Sequence, residues 1–488
     1  MTDLQERRCP PCSRNIILQG HVLDRLKQIP GASIDCVVTS PPFWRLRNYA
    51  GQQKVVWDSR PECDHKWREQ ASCPDCGAWY GALGLEPTPY MYVRHLLQIF
   101  REVRRVLHPN GTAWLVLGDT YWRHSAPLFL GQTSGRASNS KEVKPVCEKR
   151  VLKEGDLVGI PWMVALALRA DGWYLRNDIV REKTNGLPES VRCRLTRSHE
   201  YVFMLSKSRR HYFDAYSISE PCAQLRRSKV WNSSSTKRSG CRRNKRSVWR
   251  LATEPFGYEM CRACGRIYDS TAYRRLPKLE DERRCSCGAM EWLSHSATMP
   301  VKLAESCILA GCARWVCMKC GKPRERLIRR KTVDMGRRFA DRTADEVHAS
   351  HTSALRYKQK RVRTTPIGWS NCGCGAGFRR GIVLDPFIGS GTVAVAARSL
   401  QRDWLGIELS AEYIKLANER LQREMCQGSP DNSDGVRKSP KSPSMIRNSP
   451  NSSRNISQNS RKPNSIGGIS RRSMEATASQ PNNLLRER

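Results

Sequence analysis

The sequence predicts a doubly wound α/β domain, in which a parallel sheet is covered by helices on both faces. Short apolar runs alternate along the chain with segments whose apolar residues recur at helical spacing, as in βαβ units. Two of these runs, residues 34–38 and 382–384, end in motifs rich in proline or glycine. Because open α/β sheets bind ligands beyond the carboxyl ends of their strands, these two places are the candidate functional sites.

The other elements follow from the apolar pattern in chain order. Residues 92–107 show helical spacing clearly, since Val93, Leu96 and Phe100 recur every three or four positions. The proline and glycine of residues 109–111 predict a turn before the next strand. We predict parallel strands at 15–19, 34–38, 112–117, 173–180, 201–205, 382–384 and 404–407, and helices at 21–29, 92–107, 161–170, 301–310 and 393–400.

The first motif, Thr39-Ser40-Pro41-Pro42-Phe43, follows the apolar run 34–38 directly. Proline donates no backbone hydrogen bond and forces the preceding residue into an extended conformation, so the strand must stop here with its last carbonyls unpaired. The hydroxyl, the fixed carbonyls and the phenyl ring form a set suited to holding a flat ring that bears an amino group. Taken alone, the motif also fits a simple turn after a strand.

The second motif, residues 385–392, reads Asp-Pro-Phe-Ile-Gly-Ser-Gly-Thr and joins a strand to a helix. Its glycines let the backbone approach a ligand near the helix N-terminus, and an acid about twenty residues further on can bind ribose hydroxyls. The GxGxxG pattern of a dinucleotide site is missing at this position. The motif therefore predicts a nucleotide-type cofactor site formed by Asp385, Pro386, Phe387, Gly389, Ser390, Gly391, Thr392 and Glu408.

Together, the two motifs resemble those of the amino-methylating DNA methyltransferases. In that family a Ser/Asn/Asp-Pro-Pro-Tyr/Phe motif is catalytic, and Ser40, Pro41, Pro42 and Phe43 match it. The form with serine, preceded by threonine, resembles the cytosine-N4 branch. The second motif resembles the family's S-adenosylmethionine site, which implies that this molecule is the cofactor.

The order of the motifs resembles the circularly permuted β class of that family, because the Ser-Pro-Pro motif comes before the cofactor motif. The implied fold is one Rossmann-like sheet in which Ser40 and Asp385 are neighbours. The segment 295–300 resembles the motif that closes over the methionine end of the cofactor, which implies a cofactor contact for Thr298. The family usually has aspartate where this chain has His21, a departure at the expected adenine contact.

Composition restricts the classes of partner. The formal net charge of +38 and the pI near 10 favour a polyanion, and nucleic acid in particular. No window approaches the roughly 18 continuous apolar residues of a membrane span, and the N-terminus lacks the apolar core of a signal peptide. We therefore expect a cytoplasmic protein that acts on double-stranded DNA, and the resemblance allows a cognate restriction endonuclease as partner.

Twenty-one cysteines in a chain without an export signal favour metal binding over disulfides. Twelve ligand residues fall into three sets with the CxxC or CxH spacing of structural zinc sites, and glycine follows each CxxC pair. We predict two or three structural Zn²⁺ ions that brace insertions in the sheet. The three sets are Cys63, His65, Cys73 and Cys76; Cys261, Cys264, Cys285 and Cys287; and Cys317, Cys320, Cys372 and Cys374.

The domain organisation follows from these motifs and from charge. Residues 207–250 contain thirteen Lys or Arg and two acids, interleaved with Tyr212, Phe213, Tyr216, Trp231 and Trp249, a composition suited to phosphates and bases. A solvated basic loop is the alternative. We predict a catalytic half at 14–206 with a zinc insertion at 58–80, a DNA target-recognition region at 207–294, a cofactor-binding half at 295–424 with a basic zinc insertion at 312–375, and a disordered tail at 425–488.

The predicted function is site-specific methylation of the N4 amine of cytosine in double-stranded DNA, by base flipping and direct transfer from S-adenosylmethionine. Adenine-N6 methylation is the nearest alternative, because the Ser-Pro-Pro form biases the choice of base without dictating it. A zinc-containing DNA-binding protein without activity is a second alternative. The Pro-Cys pairs at 11–12 and 221–222 lack the context of an enzyme that attacks cytosine C5 through a cysteine.

Overall fold

The structure is a computed structural model that describes nine stretches of the chain. The last helix continues to Cys426 and so includes the first two residues of the predicted tail, 425–488, and the rest of that tail lies outside the described residues. In the described part of the chain, no helix is long and apolar enough to cross a membrane. The described residues are 14–46, 54–68, 71–123, 152–186, 188–221, 242–269, 284–294, 298–334 and 360–426.

An eight-stranded sheet forms the centre of the molecule, with the order β1-β19-β18-β2-β5-β7-β6-β10. In chain order the strands are β1 (Ile16–Gln19), β2 (Ile34–Thr39), β3 (Val55–Trp57), β4 (Trp79–Gly81), β5 (Leu107–Leu117), β6 (Tyr174–Glu182), β7 (His199–Ser206), β8 (Glu220–Pro221), β9 (Arg242–Arg243), β10 (Val248–Arg250), β11 (Tyr258–Cys261), β12 (Ile267–Asp269), β13 (Trp292–Ser294), β14 (Trp315–Cys317), β15 (Arg326–Asp334), β16 (Lys360–Trp369), β17 (Phe378–Arg380), β18 (Ile382–Asp385) and β19 (Asp403–Glu408).

The sheet is mixed, so the expectation of an entirely parallel sheet was wrong. β7 runs antiparallel to both of its neighbours, β5 and β6, whereas the other pairs in the sheet are parallel. The described part of the connection from β6 to β7 contains no helix. A parallel return needs a crossover, usually a helix, so a chain that turns back without one pairs antiparallel.

Helices cover both faces of the sheet, as the doubly wound prediction requires. Successive residues of β5 show why both faces are apolar: Leu115 packs with one helix layer and Trp114 with the other. On the first face lie α1 (Val22–Gln28), α2 (Pro89–Val106) and α3 (Ile160–Ala170), and on the second lie α4 (Val301–Gly311), α5 (Thr392–Ser399) and α6 (Ala411–Cys426).

The predicted turn at residues 109–111 is a bulge inside β5. The strand begins at Leu107, which pairs with Ile34, and the register then shifts so that Cys36 pairs with Thr112. Gly111 packs tightly here, because a Cβ added to it would lie 2.5 Å from Leu107 Cδ1. An irregular pair absorbs the extra residues while the strand continues, so proline and glycine mark a bulge instead of a chain reversal.

The inserted segments form five smaller sheets. β3 and β4 form a hairpin around the first cysteine set, and β12-β11-β13 contains part of the second. β14 pairs with β17 beside the third set, and β15 pairs with β16 in a long ribbon between the two halves of that set. β8 pairs with β9. The strands of the insertions thus pair in small sheets that are separate from the central sheet.

Candidate active site at the carboxyl edge of the sheet

The two sequence motifs meet at one edge of the sheet. β2 and β18 are adjacent and parallel, with Leu384 opposite Val37, so the residues that follow each strand emerge side by side. The Thr39 hydroxyl donates a hydrogen bond of 2.7 Å to Asp385 Oδ1 across 346 positions of sequence. Ser40 and Asp385 line the same cleft. The predicted proximity of these two residues is therefore present in the fold.

The cleft encloses roughly 1160 Å³, including the part open to solvent. Its walls come from the loops after β1, β2, β18 and β19, together with the β3–β4 hairpin. Pro41, Phe43 and Gly391 are not among the described residues that line it. Of the predicted site residues, those that do line it are Ser40, Pro42, Thr298, Asp385, Pro386, Phe387, Gly389, Ser390, Thr392 and Glu408.

The glycine-rich turn is shaped for close approach to a ligand. Gly389 and Gly391 have φ angles of 49° and 81°, in the left-handed region that side chains disfavour. Glu408 accepts hydrogen bonds from the backbone N–H groups of Gly389, at 3.0 Å, and Ser410, at 2.9 Å. Gly391 faces α6, since a Cβ on it would lie 3.2 Å from Ala417 Cβ. Gly391 therefore serves helix packing, and Gly389 shapes the cleft.

Two buried carboxyl groups make the cleft acidic. Burial raises the pKa of Asp385 to about 7, against the opposing effect of the hydrogen bond from Thr39. Burial also raises the pKa of Glu408, although backbone N–H groups bind it. In the described part of the chain, neither carboxyl forms an ion pair with a Lys, Arg or His. Such a cleft fits a ligand that brings its own positive charge, as the sulfonium and ammonium groups of S-adenosylmethionine do.

The Ser-Pro-Pro loop is braced from outside its own sequence. The Tyr92 hydroxyl, on α2, donates a hydrogen bond of 2.8 Å to the carbonyl of Pro42. The phenyl ring of Phe43 lies against Gly118, where a Cβ would be 2.8 Å from the ring. In the described part of the chain, no hydrogen bond engages the Ser40 hydroxyl. The loop is thus held through the carbonyl of Pro42 and the ring of Phe43, and the Ser40 hydroxyl remains available to a substrate.

The β3–β4 hairpin supplies a wall of the cleft that sequence reasoning missed. Trp57 lines the cleft and packs edge-on against His21, with ring centroids 4.8 Å apart. Burial lowers the pKa of His21, so the residue that replaces the family's aspartate is a neutral imidazole near neutral pH. The hydrophobic residues Val55, Ala82 and Leu83 extend the same wall. The sequence offered one signal for this wall, which is that these apolar residues stand next to the inserted loop 58–80.

A buried polar cluster fixes this hairpin to α2. His95 stacks on Trp57 at 4.5 Å and hydrogen-bonds Glu86 at 2.9 Å and Asp58 at 3.3 Å. Burial alone would lower the pKa of His95, but the two carboxylates outweigh it and raise that pKa. Glu86 also accepts the N–H of Gly84 at 2.8 Å. The cluster joins the hairpin, α2 and the Ser-Pro-Pro loop into one support for the cleft.

The structure brings together the ligands of all three predicted metal sets. Within each set the four ligating atoms lie within 4.8 Å of one another. The sulfur separations of 3.8 Å between Cys63 and Cys73 and 3.5 Å between Cys264 and Cys285 match a tetrahedron with Zn–S bonds of about 2.3 Å. Gly77, which follows Cys76, has a φ of 77° and donates its N–H to the carbonyl of Cys73. Each donor set therefore fits one zinc ion without an open position.

The three sets occupy different places in the fold. The first lies on the hairpin that walls the cleft. The sheet of the second set packs through Met260 and Leu293 on Tyr413 and Leu416 of α6. The third lies near the amino ends of the strands, where Arg379 of β17 binds Asp35 at 2.5 Å. Two of the sets thus flank the cleft edge, and the third lies toward the opposite edge.

Two aromatic residues of the basic segment 207–250 are buried and so cannot belong to the DNA-binding surface that its composition predicted. Tyr212 and Trp249 are 5% and 4% exposed and belong to the apolar core, so these two rings cannot stack on bases. Phe213 is 43% exposed, and Tyr216 packs against the guanidinium groups of two arginines. Trp231 and residues 222–241 lie outside the described residues, as do residues 295–297.

Comparison with known proteins identifies the family. A family model described as DNA methylase, of the N6/N4 methyltransferase type, matches residues 34–314 and 377–419. The chain belongs to this family of DNA methylases. The chain is similar to the type II methyltransferase M.SmaI of Serratia marcescens, with 30% identity over 413 residues that cover 83% of this chain and 90% of the relative. M.Cfr9I of Citrobacter freundii is 30% identical over 84% of this chain and 88% of its own length.

The protein is thus a DNA methyltransferase that uses S-adenosylmethionine. Among solved structures, a PvuII DNA methyltransferase described as cytosine-N4-specific aligns with 86% of this chain and 87% of its own, at 15% identity and a TM-score of 0.40. That similarity is too low to add to the assignment.

Proposed function

We propose that this methyltransferase modifies the exocyclic N4 amine of cytosine in double-stranded DNA. The observation that carries the proposal is that Ser40, in the Thr-Ser-Pro-Pro-Phe form of the motif, lines the same cleft as Asp385. Ser40 is a hydrogen-bond partner for an amino group, and the adjoining carbonyls are acceptors that the prolines cannot pair. The type II methyltransferases among the relatives support a role in restriction and modification.

The target base must leave the duplex to reach this cleft, at a cost of a few kcal/mol. Ser40 and the carbonyl of Ser40 or Pro41 accept hydrogen bonds from the amino group and turn the nitrogen lone pair toward the cofactor side of the cleft. Phe43, half-buried against Gly118, is the ring on which we place the extruded base. S-adenosylmethionine supplies an electrophilic methyl group when bound. Positioning accounts for most of the catalysis, and no cysteine nucleophile takes part.

We also propose that the chain is circularly permuted and braced by zinc. The strand that ends at Ser40 precedes the cofactor half, 295–424, in sequence, and β18 completes the sheet beside β2. Each cysteine set offers four ligands and would hold a structural Zn²⁺. We place target recognition in residues 207–294, in the parts of that region that are not buried in the core.

The test is transfer of labelled methyl groups from S-adenosylmethionine to plasmid DNA, followed by analysis of the modified nucleosides. N4-methylcytosine is the expected product. N6-methyladenine would replace the cytosine assignment by its nearest alternative. A folded protein that binds DNA and cofactor but transfers nothing would overturn the proposal in favour of an inactive DNA-binding protein.

A further inference from the structure

The described residues of the connection between β6 and β7, 183–186 and 188–198, lie at the edge of the sheet where we place catalysis. β6 has the same direction as β2, so β6 ends at the edge where Ser40 emerges, and β7 starts there. Arg197 is close enough to Asp119 that its charge opposes the rise in the pKa of that buried carboxyl. Asp119 directly follows Gly118, on which Phe43 packs. The connection is therefore a near neighbour of the Ser-Pro-Pro loop.

Leu195 stands at the exposed part of this connection. It is 89% exposed, more than any other large apolar side chain in the described part of the chain, where Met318 follows at 66%. A single exposed leucine is ordinary on a protein surface. This one lies among Arg192, Arg194 and Arg197 at the edge that DNA must approach, which is not an ordinary setting.

The residues around Leu195 are held in place by one acid and one aromatic ring. Arg194 forms an ion pair of 2.5 Å with Glu189, and its guanidinium carbon lies 3.7 Å from the centre of the Tyr121 ring. The backbone N–H of Arg197 also donates to Glu189, at 3.4 Å. Because both flanks are tied to Glu189, the exposed position of Leu195 is built into the loop.

We propose that Leu195 enters the base stack beside the target nucleotide and fills the space that the flipped base leaves. Apolar side chains such as leucine act as wedges between base steps, and the positive charge of Arg192 and Arg197 matches the flanking phosphates. A wedge stabilises the extruded state because the gap is not left to water. This inference rests on the proposed base flipping and adds the residue that supports it.

The experiment compares two duplexes that contain the recognition site, which is first mapped by sequencing modified bases in DNA treated with the wild-type protein. In one duplex the target base is paired, and in the other it is mispaired, which lowers the free energy needed to extrude it. Leu195→Ala should lower kcat/KM on the paired duplex at least tenfold and leave the mispaired duplex within about threefold of wild type. Leu195→Met, which keeps an apolar wedge, should restore most of the loss.

The matched control is Leu327→Ala, which removes a leucine that is 44% exposed on β15. It should leave both duplexes at the wild-type rate. Equal losses of Leu195→Ala on both duplexes, or no loss on either, would overturn the wedge while leaving methylation intact. A wild-type protein that leaves no modified base in the mapping step would overturn the proposed function and this inference with it. Cofactor affinity and circular dichroism of each variant verify that it is folded.

Discussion

Thr39 donates a hydrogen bond to Asp385, and this contact joins the carboxyl ends of β2 and β18 next to the cleft. Both side chains are buried, at 0% and 3% exposure. The threonine directly precedes Ser40, and the aspartate opens the motif that we propose for the cofactor site. A change in the ionisation of Asp385 therefore acts on a residue adjacent to Ser40.

Thr39→Val should weaken cofactor binding by about tenfold. The substitution keeps the shape of the side chain but removes a donor to a carboxyl group, an interaction of about 1.5–3 kcal/mol when the acceptor is charged. Without the donor, the pKa of Asp385 rises further and less of it is ionised at neutral pH. Isothermal titration with S-adenosylmethionine measures the effect, and Thr39→Ser, which keeps the hydroxyl, should bind like wild type. Unchanged affinity in the valine variant would separate the hydrogen bond from cofactor binding.

Cofactor affinity should rise with pH between about 6 and 8, because the pKa of Asp385 is about 7 in the folded protein. S-adenosylmethionine carries net positive charge, so the ionised carboxylate favours it. For the protein without cofactor the sign is opposite. Between the ordinary value of 3.8 and about 7 the folded state holds a proton that the unfolded state has lost, so this group's contribution to stability falls as pH rises.

Asp385→Asn should remove both pH effects. Denaturant unfolding without cofactor at pH 4, 5.5, 7 and 8 should show a smaller decline in the variant than in the wild type. Titration calorimetry over the same range should show weak cofactor affinity in the variant that no longer depends on pH in this window. Parallel curves for the two proteins would show that another group titrates.

Ser40→Ala should bind S-adenosylmethionine normally and lose at least a hundredfold in turnover. The hydroxyl is assigned to the target amine and not to the cofactor, and misplacement of a reacting group by about 1 Å can cost about 10²-fold in rate. Single-turnover methyl transfer measures the rate, and calorimetry measures cofactor affinity. Ser390→Ala, in the glycine-rich turn of the same cleft, should instead act mainly on affinity. Full turnover in Ser40→Ala would remove the proposed role of the hydroxyl.

Loss of the first metal set should impair cofactor binding more than loss of the third. Val55, Trp57, Ala82 and Leu83 line the cleft from the hairpin that the first set closes, whereas the third set lies toward the opposite edge of the sheet. Cys76→Ser should therefore lower S-adenosylmethionine affinity at least fivefold, and Cys374→Ser should leave it near wild type. Metal analysis should find three zinc ions per wild-type chain and about two in each variant. Equal affinities in the two variants would contradict the coupling.

Periodicity and motifs predicted much of the fold because they depend on local chemistry. The helix at 92–107 is α2, Pro89–Val106, with the predicted apolar residues buried, and the run 34–38 is β2 with one further residue. The CxxC-Gly spacing predicted the three ligand sets, since a glycine that tolerates positive φ must follow each pair. The resemblance of the two motifs and their order to the circularly permuted methyltransferases implied that Ser40 and Asp385 are neighbours, and the two residues line one cleft.

Other features depend on which distant surfaces meet. The burial of Tyr212 and Trp249, the direction of β7 and the Trp57 wall of the cleft were not predicted. The sequence does not distinguish an apolar or aromatic residue that stacks on a base from one that packs under a helix or lines a cofactor site. The sequence by itself determined the chemistry of the two motifs and of the metal ligands, because those residue types and spacings have few other uses. The tertiary structure alone decided what surrounds them, because each of these contacts joins segments far apart in the chain.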